Sequence, residues 1–352
     1  MKKYWSSRIK ELEAYVPGEQ PKDRRYIKLN TNENPYPPSP KAIEAMQNAI
    51  GEAMRLYPDP ECTALVEAIA ERFGVEKEQV FVDNGSDEVL AMCFPAFFGG
   101  EKPILFPDIT YSFYPVYADL YQVPYDAVPL NEDFTVPVEE MLRPNGGVII
   151  ANPNAPTGIA LPLEAIERIA AGNPDSVVIV DEAYVDFGGV SALPLINKYP
   201  NVLIVRTTSK AYSLAGLRVG WAMGDRGLIA ALNTVKNSIN SYTLDRAAIA
   251  GGAAAIADEE YFKACCDKVI ATREHSIAAL TELGFRCLPS STNFIFAAPS
   301  GVAADELFAK LREKGVLVRY FKKPRINGFL RISVGTDEEM DALLAAIKEI
   351  IG

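Results

Sequence analysis

Six short runs of this chain are apolar almost throughout and rich in β-branched residues. They are VFVD (80–83), PILFP (103–107), GVIIA (147–151), SVVIVD (176–181), NVLIVR (201–206) and VGWAM (219–223). A strand with one face in water alternates apolar and polar residues, and a strand buried on both faces does not. Both faces of these strands must therefore be covered. The stretches between most of them include amphipathic helical patterns, such as LPLEAIERIAAG. Strand and helix in alternation imply an α/β domain on a mostly parallel sheet.

After about residue 260 the pattern changes. A long helix over roughly 259–283 leads to NFIFAA (293–298), a helix near 303–314, VLVRYF (316–321), FLRISVG (329–335) and a last helix from about 337. This reads as a smaller α+β domain. The first 45 residues are rich in Pro and Asn and lack strong periodicity. Such an arm must lie on something, and it is expected to cross the cleft and join the C-terminal segment. The expected division is a large α/β domain over 46–260, with 1–45 and 261–352 forming the arm and the small domain.

The 352 residues give room for two domains. The formal net charge of −11 argues against nucleic-acid binding, which rests on a positive field. An anionic ligand would have to be held by a local cluster of arginines and lysines. No run approaches the roughly 20 apolar residues of a membrane span, and no apolar stretch follows the basic start MKKYWSSRIK. No membrane partner is expected, and the location expected is cytoplasmic. The cysteines Cys62, Cys93, Cys265, Cys266 and Cys287 show no Cys-x-x-Cys spacing and read as reduced core residues. The single histidine, His275, sits in the helical pattern ATREHSIAALTELGF. One histidine leaves little room for Ser-His-Asp chemistry and none for a multi-histidine metal site, so no metal is expected. An enzyme built on this chain needs another base.

Open α/β sheets bind ligands beyond the carboxyl ends of their strands. Three parts gather there. Gly85, Ser86 and Asp87 follow the first run and open a helix, whose free N–H groups and dipole favour a phosphate. Ser209 and Arg218 can add a hydroxyl and a guanidinium fork. Taken alone, such a helix start is more often a plain N-cap. Asp181 ends a strongly apolar strand, where a carboxylate needs a partner. It either caps a helix or faces a cationic ring nitrogen. Lys210 follows the fifth run within TTSK, and a lysine made neutral by its surroundings is a nucleophilic amine. A Schiff-base lysine, an aspartate opposite a pyridinium nitrogen and a phosphate cup together describe pyridoxal phosphate.

The segments EAYVPG, KLNTNENPYP, RLYPDP, DNGSDEVL, PTG, VDEAYVDF, RTTSKAYSLAGLRVG and FLRISVGT carry a resemblance over nearly the whole chain. It resembles the fold-type I pyridoxal-phosphate aminotransferases of the aspartate aminotransferase superfamily, and within them the histidinol-phosphate aminotransferase family. The resemblance implies a mostly parallel seven-stranded sheet in the large domain. It implies that Lys210 bonds the cofactor and then moves the substrate proton. Asp181 would hold the ring nitrogen protonated, Tyr184 would donate to the phenolic oxygen, and Tyr111 would stack on the ring. Gly85, Ser86, Asp87, Thr207, Ser209 and Arg218 would hold the phosphate, with Tyr57 reaching it from a second copy in a homodimer with shared sites. Arg319 and Arg331, helped by Tyr15 and Asn32, would bind the substrate's anionic group. The implied reaction passes an amino group between glutamate or 2-oxoglutarate and histidinol phosphate or imidazole-acetol phosphate.

One position departs from the pattern. The superfamily usually has Asn before Pro-Thr-Gly, donating to the phenolic oxygen; here NPNAPTG puts Ala155 there. Either Asn154 takes the role or Tyr184 acts with less help. Threonine-phosphate decarboxylation and broad aromatic transamination share this fold and stay open. A regulator that binds the cofactor without turnover would carry an extra module, and no segment is left over for one. A dinucleotide enzyme would show G-x-G-x-x-G after the first strand, and none is present.

Overall fold

A computed structural model describes residues 2–352 of the chain. The arm carries α1 (Ser7–Glu11) and β1 (Ile27–Lys28). The α/β part follows as α2 (Pro40–Ala49), α3 (Thr63–Phe73), β2 (Val80–Asn84), α4 (Gly85–Phe97), β3 (Ile104–Pro107), α5 (Phe113–Tyr121), β4 (Tyr125–Val128), β5 (Gly147–Ala151), α6 (Leu163–Gly172), β6 (Val178–Asp181), β7 (Val202–Thr207), β8 (Val219–Gly224), α7 (Arg226–Ile239) and α8 (Arg246–Ala257). The remainder is α9 (Glu259–Glu282), β9 (Arg286–Cys287), β10 (Phe294–Ala298), α10 (Ala304–Glu313), β11 (Val316–Leu317), β12 (Arg319–Tyr320), β13 (Leu330–Ser333) and α11 (Asp337–Ile351).

The central sheet has seven strands in the order β2-β8-β7-β6-β5-β3-β4. All pairs are parallel except the two made by β8. Every residue of β3, β5, β6, β7 and β8 is buried, as apolar runs covered on both faces require. Trp221 on β8 is fully enclosed, with Phe73 and Tyr212 against it. Each such side chain contributes about 1.5–3 kcal/mol of apolar burial. The strand β4 is absent from the sequence reading. It is the sheet edge, its Asp126 and Ala127 are exposed, and its mixed composition does not read as a buried run.

The C-terminal part forms a second sheet in the order β12-β13-β10-β9, antiparallel throughout. The helices α9 and α10 pack on it, and α11 packs on both. The run VLVRYF, read as one strand, is two. Val316–Leu317 pairs in parallel with β1 of the arm, and after Val318 the chain turns to pair Arg319–Tyr320 with β13. The arm thus pairs with the C-terminal part. It continues past the central sheet into α2, which packs on α8.

Candidate active site

The parallel strands β2, β6 and β7 end at one rim. Because β8 runs the other way, its start lies there too, with Val219 opposite Asn84 and Gly220 opposite Thr207. Arg218, which precedes β8, therefore joins residues that follow the other strands. A Cβ on Gly220 would run into the backbone of Gly85 and Ser86, so only glycine lets β8 approach the start of α4 this closely. Arg218 itself takes a left-handed backbone, φ 57°.

The Asn84 side chain at the N-cap of α4 makes no capping hydrogen bond among the described residues. Around the first turn of α4 stand Ser209 and Thr207, both buried, and the Arg218 guanidinium. Arg218 donates from Nη2 to Asp87 Oδ2 (3.0 Å) and from Nη1 to Ser209 Oγ (3.3 Å). Tyr111 donates to the other Asp87 oxygen (2.6 Å). Thr207 Oγ1 donates to Ser209 Oγ and accepts from Ser209 N. Uncapped amides, hydroxyls and a guanidinium make an anion cup at a helix N-terminus.

Asp181, at the end of β6, is 6% exposed. It accepts from Tyr114 Oη (2.8 Å) and Ala183 N (3.2 Å), and no cation pairs with it among the described residues. Burial pushes its carboxyl up to about 6, against the hydrogen bond from Tyr114. Its neighbour Glu182 points away and is fully enclosed with Arg206 of β7, at 2.8 Å. That pair ties the ends of β6 and β7 together directly beneath Asp181 and Thr207.

Lys210 faces the same cavity, its Nζ 5.7 Å from the centre of the Tyr184 ring. The cavity, ≈ 170 Å³, is lined by Ser86, Asp87, Tyr111, Ala155, Asp181, Tyr184, Thr207, Ser209, Lys210 and Arg218. Thr31 and Glu33 of the arm close it. Burial works to raise the Glu33 carboxyl, but hydrogen bonds from Lys28 and Thr31 (2.8 Å) outweigh it and hold it below the usual range. A larger open groove, ≈ 490 Å³, lies along β2 between α3 and α7 and holds none of these residues. Its Lys77 and Arg226 are paired with Glu67 and Glu76.

Three arm residues fix the cavity's open side. Asn34 donates to the Lys210 carbonyl (3.1 Å). Asn32 donates from Nδ2 to Tyr184 Oη (2.9 Å), and Asn30 accepts from Arg331 (3.1 Å). Arg319 and Arg331 are direct partners across β12 and β13, and neither meets a carboxylate among the described residues. Burial pushes the Arg331 guanidinium down from its ordinary value, and the Arg319 charge adds to this. Tyr15 stacks on Phe113 (4.2 Å), which in turn contacts Tyr111.

Arg331 and Tyr15 do not line the cavity itself, Arg319 lines a separate hollow with Asn30 and Arg312, and Tyr57 and Asn154 lie elsewhere. Tyr57 is 76% exposed and stacks on Tyr242 away from this chain's cavity. Asn154 does not take the position left by Ala155. Its amide donates to the Ile109 carbonyl (2.9 Å) and Thr157 Oγ1 (3.0 Å), and its oxygen accepts from Thr110, so it braces two loops. Sequence reasoning missed Tyr114 and Glu33. Tyr114 lies in the first turn of α5, three residues after Tyr111, within the aromatic-rich stretch YSFYPVY that could have drawn notice. Glu33 lies between two asparagines of a segment without periodicity, and no local signal marks it.

The family model for aminotransferase class I and II matches residues 24–347. The chain is 57% identical over 352 residues to a histidinol-phosphate aminotransferase of Acinetobacter baumannii (strain SDF), covering 99% of this chain and 98% of that protein. It is 55% identical over 353 residues to one from Marinomonas sp. (strain MWYL1), covering 99% and 100%. Among solved structures it is similar to a histidinol-phosphate aminotransferase of Sinorhizobium meliloti in complex with pyridoxal-5'-phosphate. That match has a TM-score of 0.89 and 26% identity over 99% of this chain and 98% of the other.

Proposed function

The chain belongs to the class I and II aminotransferases, a fold-type I family, and from that membership we propose that it exchanges the amino group between glutamate and imidazole-acetol phosphate, a step of histidine biosynthesis. The products are 2-oxoglutarate and histidinol phosphate, and the cofactor is pyridoxal phosphate. One observation carries the cofactor reading: a lysine shares a cavity with a buried carboxylate that has no cation of its own. The donor set fits the group. Asp181 matches a protonated ring nitrogen, and the α4 turn with Ser209, Thr207 and Arg218 matches a phosphate. The names of the curated relatives support the substrate, and favour this reaction over decarboxylation of threonine phosphate or broad aromatic transamination.

Bound pyridoxal phosphate supplies a conjugated ring that takes up the negative charge left when a substrate Cα–H bond breaks. The chain's residues do the rest. Lys210 would hold the group covalently and serve as the base that moves the substrate's Cα proton. Asp181 would face the ring nitrogen and favour its protonated form. Tyr184 would donate to the phenolic oxygen and Tyr111 would cover the ring. Ser86, Asp87, Thr207, Ser209 and Arg218 would anchor the phosphate. Arg319 and Arg331 grip the phosphate of histidinol phosphate, or a carboxylate of glutamate, with Tyr15 beside them. Tyr57 completes the cup of a second copy, so the active unit is a homodimer, and its location is cytoplasmic.

The test is direct. With pyridoxal phosphate added, the protein should absorb visible light, and borohydride should fix the cofactor on the peptide containing Lys210. Amino transfer from histidinol phosphate to 2-oxoglutarate should stand well above that from phenylalanine or tyrosine. Label on another lysine would remove Lys210 from its role. Release of CO₂ from threonine phosphate, with histidinol phosphate inert, would replace the reaction.

A further inference from the structure

The hydroxyl of Tyr184 has one proton and two lone pairs. Asn32 Nδ2 donates into the oxygen at 2.9 Å, and among the described residues no acceptor takes the Tyr184 proton. The donating amide is held from all sides. Asn32 is 1% exposed, with a left-handed backbone at φ 56°. Its N–H donates to Ser333 Oγ (2.8 Å), and Ser333 Oγ donates back to Asn32 Oδ1 (3.1 Å). Its carbonyl accepts from Asn293 Nδ2 (2.9 Å). With Oδ1 fixed on Ser333, Nδ2 is left to face Tyr184. Across the cavity Ala155 offers no donor, and the Asn154 amide is engaged with Ile109 and Thr157.

We infer that Asn32 is a positioning residue for Tyr184: its amide turns the Tyr184 proton into the cavity and so makes up for the donor that Ala155 lacks. The inference rests on the cofactor reading above. A hydroxyl that accepts one hydrogen bond donates a stronger one, by roughly 10–30% in condensed-phase estimates. A single polarised donor thus serves the phenolic oxygen where a pair would otherwise stand. Asn32 touches Ser333 and Asn293 on one side and Tyr184 on the other, so it also joins the second sheet to the cavity.

The experiment follows the visible absorbance of the substrate-free holoenzyme against pH. A donor on the phenolic oxygen favours its anionic form, so weakening that donor moves the spectral transition to higher pH. Asn32→Gly removes the amide and takes the positive φ without strain. It should raise the midpoint by about half a unit or more, a threefold or larger change in proton affinity. Asn32→Ser, as a second variant, should raise it similarly, because its hydroxyl is too short to span the gap. Tyr184→Phe should raise it further, and Asn32→Gly added to Tyr184→Phe should change nothing more, since the amide acts only through the phenol. An unmoved midpoint in Asn32→Gly and Asn32→Ser, with KM for histidinol phosphate raised, would assign Asn32 to the substrate and overturn the inference alone. So would an equal shift with and without Tyr184. A parent protein without a visible chromophore would instead overturn the cofactor reading, and this inference with it.

Discussion

Asp181 is a carboxylate where charge is costly, and its elevated protonation has a sign that can be followed. Its value rises from 3.8 to about 6 on folding. Between those values the native state therefore binds more protons than the unfolded state, so stability falls as pH rises through that window. Two units correspond to a cost of about 3 kcal/mol, borne in full above about pH 6 and gone below about pH 4. Stripped of cofactor, Asp181→Asn should be more stable than the parent at neutral pH, with the difference fading on acidification. Urea titrations at several pH values check this, and parallel curves for both proteins would count against it. Cofactor binding should reverse the ranking, because only the carboxylate matches a protonated ring nitrogen. For Lys210→Ala, cofactor should still bind non-covalently while amino transfer drops by several orders of magnitude, as read by absorbance and turnover. Arginine cannot replace this lysine, because it does not yield a neutral amine near pH 7.

Between β12 and β13, Arg319 and Arg331 oppose each other as like charges, an arrangement that weakens a strand pair. Arg319→Leu should therefore stabilise the ligand-free protein by roughly 0.5–1 kcal/mol. The same change should lower kcat/KM for histidinol phosphate about ten- to a hundredfold, because a charge-assisted contact is worth about 1.5–3 kcal/mol. Melting curves and steady-state kinetics separate the two effects; a loss of stability together with activity would mean that Arg319 supports the fold. These strands also mark where sequence could and could not be read. That Asp181, Lys210 and Arg218 come to one rim could be read because each lies beside a run of buried apolar residues. The division of VLVRYF was not, since nothing within six residues tells that one half pairs with an arm nearly three hundred positions earlier. Nor was the donation from Asn32 to Tyr184, which spans 152 residues. Tyr114 became the partner of Asp181 only through the packing of α5 against the sheet. What is carried by local periodicity or by motif was readable; what depends on which distant segments meet was not.

Over the whole molecule, exposed apolar side chains include Met54, Leu56, Tyr57, Ile239 and Tyr242, and Arg246 holds the Tyr57 carbonyl at 2.7 Å. Large exposed apolar groups near one another mark an interaction surface. Sedimentation should show a homodimer, and charged replacements at Ile239 and Tyr242 should yield inactive monomers. A monomer with full activity would refute shared sites. The arm has a different consequence, one of timing. Its asparagines reach Tyr184, Lys210, Asn293 and Ser333, separations of up to 301 residues. Synthesis makes the arm long before the residues it must meet. Long loops must close before such contacts reward the chain. The cavity is therefore among the final features to form, and during refolding the recovery of cofactor binding should lag behind the return of helical signal from the large α/β part. Until then the arm is a loose leader waiting for the rest of its own chain.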